Sequence, residues 1–148
     1  MQTDYLQPFL FENLDIRGRL VCLSGSWGEM LEGRNYPAPV IEILGQTTAL
    51  AVLLGANQKG GGRVTLQVRG NGPVSLLVAD CATPLKIRGM AHHAPGAAGT
   101  ARELLGDGRF ALTLDDGRSE QLYQSIVPLE GDTLSDTFSS YLARSEQV

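Results

Sequence analysis

One segment of the chain is apolar around nearly its whole circumference when it is drawn as a helix. Val40 to Ala56 places hydrophobic side chains in almost every direction of the helical wheel, instead of in one stripe. Such a helix is stable when neighbouring layers cover it on all sides. At roughly 17 residues with polar positions inside, it is a poor match for a membrane span. We therefore predict a central core helix with these core residues: Leu50, Val52, Leu53 and Leu54.

Alternating apolar and polar residues after this helix predict a β-hairpin. Arg63–Arg69 and Val74–Asp80 each alternate like a strand with one face in water. They are joined by Gly70-Asn71-Gly72-Pro73, whose Asn-Gly pair supplies the positive φ angles that a tight turn demands. A further strand is predicted over Leu85–Met90, and the small-residue stretch Ala91–Thr100 is typical of a surface loop.

The second half of the chain repeats this alternation. Arg109–Leu114 and Glu120–Val127 predict a second hairpin, turned at Asp115-Asp116-Gly117. One turn of helix is predicted before it, over Ala101–Leu105. Strands therefore dominate this half of the chain.

Near the amino terminus, Arg17–Ser24 predicts a short strand that is rich in apolar residues, and we expect both of its faces to be covered. Ser26 and Glu29 have the spacing of a capping box, which predicts a short helix through Glu32 that ends at Gly33.

A closing helix is predicted at the other end of the chain, capped by Asp132 or Thr133. Its apolar residues fall at i, i+4, i+7 and i+8: Leu134, Phe138, Tyr141 and Leu142. Together, these elements predict an α+β fold with a layered β/α/β core, in which antiparallel hairpins surround the buried central helix.

Composition and charge narrow the functional class. The chain has 148 residues, 43% hydrophobic and 19% charged, which is the range of a single globular domain. Its net charge of -4 and its scattered Lys and Arg residues argue against a nucleic-acid surface. Cys22 and Cys81 lie far apart, which favours a reducing, cytoplasmic location. Met1–Phe11 lacks the pattern of a signal peptide.

The residues that carry chemistry do not form a recognisable site in the sequence. Asn57–Gly62 follows a helix and lacks the GK[ST] of a phosphate loop, so it is interpreted as a connector. His92 and His93 have no nearby ligands that would complete a metal site, and we expect no cofactor in this chain. Cys81 follows Asp80, whose charge raises a thiol pKa, and Cys22 is expected to be buried. No catalytic residue is predicted.

A series of short motifs resembles one known family. Phe11–Gly18 reads FENLDIRG and resembles the opening FENxxIRG of the redox-regulated heat-shock chaperone family called HslO. Further similar motifs follow in the family's order: Tyr36–Val40 (YPxPV), Gly70–Pro73 (GxGP), Arg88-Gly89 (RG), Gln124–Gly131 (GIVPLEGD) and Tyr141–Gln147 (YFxxSEQ). Ordered matches from end to end make chance agreement improbable.

The resemblance implies an ATP-independent holdase, which grips unfolding polypeptides when heat and oxidation expose its apolar surface. It also implies a zinc site of four carboxy-terminal cysteines in CxC and CxxC pairs, none of which is in this chain. We therefore expect residues 1–148 to be part of the amino-terminal core, without the zinc-binding redox-switch domain.

A holdase needs an extended apolar or amphipathic surface rather than a polar pocket. The candidate client contacts lie on the first hairpin and are expected to share one sheet face: Leu66, Val68, Leu76 and Val78. Burial against the central helix is the alternative for each. Arg17, Gly18, Tyr36 and Pro37 match the family's motifs, but a structural role explains them equally well.

Two other functions stay open. A small-molecule enzyme would bring together the Gly60–Gly62 loop with Asp80 or His92 in one cleft. A structural oligomerisation module would self-associate through sheet edges, and a homodimer formed by exchange of an element fits such edges. Neither a nucleic acid nor a membrane is expected as a partner.

Overall fold

The computed structural model of the chain describes residues 3–56, 62–82, 85–117 and 122–145. Helices and strands follow one another in this order: β1 (Tyr5–Phe11), β2 (Ile16–Cys22), α1 (Gly25–Leu31), α2 (Ala38–Gly55), β3 (Arg63–Arg69), β4 (Val74–Ala82), β5 (Lys86–His93), α3 (Ala101–Leu105), β6 (Arg109–Asp115), β7 (Tyr123–Pro128) and α4 (Leu134–Ser145).

Two antiparallel sheets account for the strands. A five-stranded sheet has the order β5-β4-β3-β6-β7, and β1 pairs with β2 in a separate hairpin. The two predicted hairpins are confirmed as β3–β4 and β6–β7. The strand predicted over Leu85–Met90 extends to His93, so Ala91, His92 and His93 belong to β5 rather than to a loop.

The predicted central helix is confirmed as α2, and it lies between the two sheets. It packs on β3, β4 and β5 on one side and touches β2 on the other. Its buried residues point mainly at the large sheet: Val40, Ile43, Leu44, Thr47, Thr48, Ala51 and Val52. This is the layered α+β arrangement that the sequence predicts.

The second layer over α2 is narrow, because it consists of the two strands of the β1–β2 hairpin. Of the four predicted core residues, Val52 is buried, and Leu50 and Leu54 are half-buried and pack against the core. Leu53 is half-buried and lines an open cleft, so its prediction as a core residue was wrong. By length and hydropathy alone, Ala38–Gly55 would qualify as a membrane span. In the fold it is a core helix, with Val40 and Leu44 fully inaccessible to solvent.

The start of α1 differs from the prediction. The helix begins at Gly25, and its cap residue Ser24 makes no side-chain capping bond. Asp4, which precedes β1, takes over this role: its carboxylate accepts the backbone N–H of Ser24 at 2.8 Å and hydrogen bonds from Ser26. The predicted Ser26–Glu29 capping box is therefore wrong, because Ser26 is held by a carboxylate from another element.

Hydroxyl caps define the later helices. The Thr100 side chain accepts the N–H of Glu103, and the Glu103 carboxylate accepts the N–H of Thr100 at 3.4 Å, which completes a capping box for α3. Thr133 caps α4 as predicted, because its Oγ1 accepts the N–H of Asp136 at 3.0 Å. Leu134 and Tyr141 of α4 are buried.

Strand β1 was not predicted from the sequence. Tyr5–Phe11 has Pro8 at its centre and apolar residues on both faces, so it shows no alternation of apolar and polar positions. The expectation that both faces of its partner β2 are covered was also wrong, because most of β2 is exposed. Leu6 and Val21 at the base of the hairpin do pack against the core.

Candidate functional site

The four predicted client contacts lie on opposite faces of the large sheet. Leu66 and Val68 are fully buried beneath α2. Their prediction as client contacts was therefore wrong, and they are core residues. Leu76 and Val78 point to the other face and are half-buried. We call this other side the outer face.

A register shift in β4 causes this division. The pairing with β5 is irregular between Val74 and Leu76, so that Val74 is buried while the core side continues with Leu77 and Ala79. A bulge inserts one residue and reverses which side chains face the core. The simple alternation Val74, Leu76, Val78 is therefore broken at Ser75.

The outer face carries a row of side chains that crosses all five strands and is apolar except at its centre, Gln67. Strand registers place the following residues side by side, from β5 to β7: Met90, Val78, Gln67, Ala111 and Ile126. Ile126 at the end of this row is 56% exposed. The other members are half-buried, and Leu76 lies in the neighbouring row. We call these five residues the cross-strand row.

Polar rows flank the cross-strand row on both sides. One side holds Arg88, Asp80, Thr65, Thr113 and Gln124, and the other holds His92, Leu76, Arg69, Arg109 and Pro128. The described helices α1, α2 and α4 contact the opposite face or the strand edges. The outer face is thus an amphipathic surface, in which the cross-strand row has apolar residues on both sides of Gln67 and charged residues lie at the borders.

Asp80 organises the charged border next to β5. Its Oδ2 accepts Arg88 Nη2 at 2.7 Å and Nε at 3.2 Å, and its Oδ1 accepts the Thr65 hydroxyl at 3.0 Å. Arg63 Nη1 lies 3.7 Å from the same carboxylate. These contacts satisfy a mostly buried carboxylate, which would be costly to leave unpaired.

A second apolar surface lies on the other side of the molecule. Seven of the ten exposed large hydrophobic residues in the described part of the chain belong to the β1–β2 hairpin: Tyr5, Phe9, Leu10, Phe11, Leu14, Ile16 and Leu20. The hairpin borders an open cleft of about 930 Å³. Leu53 and Leu54 of α2 form its floor, and Phe138 and Leu142 of α4 form its far wall.

The motif residues Arg17 and Gly18 lie in this cleft. Gly18 pairs with Phe9, and the Phe9 ring lies directly over it, where a Cβ atom would collide. The absence of a side chain at Gly18 therefore allows the aromatic ring to cross the hairpin. Tyr36, another motif residue, accepts the Ala91 N–H at 3.1 Å and so ties the entry to α2 to strand β5.

The two alternative catalytic residues of the enzyme hypothesis, Asp80 and His92, lie apart on the sheet. Asp80 pairs with Arg88, whereas His92 lies four residues farther along β5, roughly 13 Å away at strand spacing. Asp80 is also engaged by Arg88 and Thr65. Residues 57–61 of the connector lie outside the described residues, and Gly62, its last residue, directly precedes β3.

Neither cysteine fits the zinc site that the resemblance implies. Cys22 is half-buried at the end of β2, and Cys81 is buried in β4. Burial raises the pKa of the Cys81 thiol, and the neighbouring Asp80 carboxylate raises it further, as the sequence predicts. Neither residue has the CxC or CxxC spacing of the family's zinc ligands.

Sequence reasoning missed two parts of these surfaces. Met90 and Ile126 join Val78 only through the registers of separate strand pairs, and local alternation does not encode those registers. The β1–β2 hairpin did leave a signal, because Phe9, Leu10 and Phe11 form an apolar cluster immediately before the FENLDIRG motif.

Comparisons with known proteins agree on one family. The model of the Hsp33 protein family matches residues 4–148. The 33 kDa chaperonin of Azotobacter vinelandii is 43% identical over 150 residues, which cover 98% of this chain and 50% of the relative. The 33 kDa chaperonin of Methylobacillus flagellatus is 38% identical over 148 residues, which cover 99% of this chain and 50% of the relative.

A solved structure is also similar. The crystal structure of the 33 kDa chaperonin (heat shock protein 33 homolog) of Thermotoga maritima matches with a TM-score of 0.62 and 25% identity. The match covers 71% of this chain and 38% of that structure. The chain thus spans about half the length of the curated relatives it matches.

Proposed function

The chain belongs to the Hsp33 family, and from this premise we propose that it is the client-binding core of an ATP-independent holdase chaperone. In this proposal the outer face binds unfolded polypeptide segments, and Leu76 and Val78 remain client contacts. Leu66 and Val68 act indirectly, because they anchor the sheet to α2. The chain performs no catalysis and works in the cytoplasm.

The observation that carries this proposal is the cross-strand row. A wide sheet face, left uncovered by the described helices, carries four apolar residues in this row, two on each side of Gln67. Unfolded polypeptides offer apolar side chains in no fixed arrangement, so a flat amphipathic surface suits them better than a shaped pocket. Affinity then comes from apolar burial, at about 25 cal/mol per Å².

We assign a different role to the cleft beside the β1–β2 hairpin. The curated relatives are about twice as long as this chain, and the cleft exposes large apolar residues such as Leu10 and Leu20. In the proposal, part of the remaining half of a longer protein packs into this cleft. The family's redox switch and its zinc ligands belong to that remaining half. The alternative occupant of the cleft is a second copy of this chain, in a homodimer that buries the same apolar residues.

Aggregation of a denatured client tests the holdase proposal. Chemically unfolded citrate synthase is diluted into buffer with an excess of this chain, with and without reductant, and light scattering is recorded. We expect suppression of scattering that does not depend on reductant, because the family's switch cysteines are absent from the chain. Unchanged scattering at a large molar excess would contradict client binding by this chain.

Paired variants separate the two apolar surfaces. Ile126→Ser and Val78→Ser remove apolar area from the outer face, whereas Leu10→Ser and Leu20→Ser remove it from the hairpin. Losing about 1 kcal/mol of apolar burial should raise the half-suppressing concentration of the outer-face variants roughly fivefold. The hairpin variants should suppress aggregation like the parent chain. The reverse result would assign client binding to the cleft.

Self-association is measured on the same samples by sedimentation. A chain that self-associates but fails to suppress aggregation would support the oligomerisation module instead of the holdase. Thermal unfolding of each variant confirms that the loss of suppression does not come from loss of the fold.

A further inference from the structure

The outer face is positively charged on a protein that is negative overall. The chain has a net charge of -4. On the described strands, its outer face nevertheless carries five basic side chains and two acidic ones, on both sides of the cross-strand row: Arg63, Arg69, Lys86, Arg88 and Arg109 against Asp80 and Asp115. This separation of charge is a property of the folded sheet, because basic residues are not clustered along the sequence.

Three of these cations are available for a partner. Asp80 engages Arg88 and, more distantly, Arg63. Among the described residues, Arg69, Lys86 and Arg109 form no salt bridge. Arg69 does orient the Gln67 amide, whose oxygen accepts a hydrogen bond from Arg69 Nη2 at 2.8 Å. All three side chains are exposed.

The spacing of the rows fits an extended polypeptide. Five strands at about 4.8 Å make the cross-strand row roughly 19 Å long, which is the length of about six extended residues. The row with Arg69 and Arg109 lies two residues along the strands, roughly 7 Å away. Lys86 lies on the other side, four residues along β5 from Met90. Carboxylates of a bound segment would reach these cations while its apolar residues cover the row.

We propose that the outer face selects unfolded segments in which apolar residues are flanked by Asp or Glu. This inference rests on the proposed holdase function and adds a rule for its clients. The cross-strand row supplies affinity for any apolar segment, and the flanking cations favour acidic neighbours and disfavour basic ones. A basic segment would place like charges beside Arg69, Arg109 and Lys86.

Fluorescence anisotropy with four labelled peptides tests the rule. All are of equal length: an apolar centre flanked by Asp and Glu, the same centre flanked by Ser, the same centre flanked by Lys, and an acidic peptide with Ser at its centre. One exposed charge pair changes affinity by about two- to fivefold. With several pairs, we expect the acidic-flanked peptide to bind about tenfold more tightly than the Ser-flanked one at low salt, and less so as salt rises.

Charge reversal supplies the matched control. The double variant Arg69→Glu and Arg109→Glu should reverse the preference, so that the Lys-flanked peptide binds more tightly than the acidic-flanked one. Arg17→Glu with Arg19→Glu changes the net charge equally, at exposed positions of β2 away from the outer face, and should leave the order of the peptides unchanged.

The outcomes keep this rule distinct from the holdase proposal. Equal binding of the first three peptides, with aggregation still suppressed, overturns the charge rule and leaves the holdase standing. Equally tight binding of the acidic peptide without apolar residues also overturns it, because the face would then be a general polyanion site. Failure of all peptides together with unsuppressed aggregation removes both proposals.

Discussion

Asp4 shows how one side chain connects two distant parts of the chain. It lies just before β1, yet its carboxylate caps α1 by accepting the N–H groups of Ser24 and Ser26. The hydrogen bond from the Ser26 side chain, supported by these backbone bonds, lowers the pKa of Asp4 below its ordinary value. The ionised form therefore stabilises the folded state.

We expect Asp4→Ala to lose about 1 kcal/mol at neutral pH, the usual cost of removing a helix cap. A lowered folded-state pKa contributes stability that is present above the unfolded value near 3.8 and is lost as pH falls through the folded value. The difference between parent and variant should therefore shrink in acid. Urea unfolding at several pH values measures it.

Asp4→Asn is the control for this effect, because it keeps an acceptor for the same N–H groups. It should lose less stability than Asp4→Ala. A difference between the parent and Asp4→Ala that stays the same down to pH 3 would show that the carboxylate charge has no part in the cap.

In strand β4, a single irregularity in the strand pairing decides which side chains face the core. Its sequence alternates well enough to be predicted as a strand, and the Gly70–Pro73 turn fixes its partner. The irregular pairing around Ser75 then exchanges the two faces, which sends Leu77 to the core and Leu76 to the outer face. Alternation alone predicts that a strand exists, and a bulge decides which of its residues become functional.

Helix α2 is supported unequally by its two neighbouring layers. Leu44 is fully buried against the large sheet, whereas Leu53 is half-buried beside the cleft. We expect Leu44→Ala to destabilise the fold by about 3 kcal/mol, because it leaves a cavity in packed surroundings. Leu53→Ala should cost only about 1 kcal/mol, since much of its side chain is already solvated.

Chemical denaturation of both variants measures the two losses of unfolding free energy. The difference in helix propensity cancels between them, because both changes are Leu to Ala within one helix. Equal losses would mean that the hairpin layer covers α2 as completely as the sheet does.

At the scale of the molecule, the sequence predicted the layers better than the surfaces. Two turn signals and one fully apolar helix were enough to predict α2 and the β3–β4 and β6–β7 hairpins, which form one layer beside it, but not the β1–β2 layer on its other side. The cross-strand row was not predictable, because Met90, Val78 and Ile126 meet only when four strand pairings are in register. Burial of Leu66 and Val68 likewise depends on which face of the sheet α2 covers. The local pattern of apolar and polar residues does not determine that face.

The β1–β2 hairpin has a consequence for how the protein opens. In the described part of the chain it is joined to the remainder through contacts of β2 with α2 and through the Asp4 hydrogen bonds to the start of α1, and it shares no hydrogen-bonded ladder with the five-stranded sheet. Such an element can detach as a unit at a lower free energy than global unfolding. We expect backbone amides of Leu6 and Val21 to exchange with deuterium well before those of Leu66 and Val68, as mass spectrometry of timed samples would measure. Exchange of all four amides at one rate would mean that hairpin and sheet unfold together. Separate rates would mean that the hairpin opens as a unit while the core stays folded.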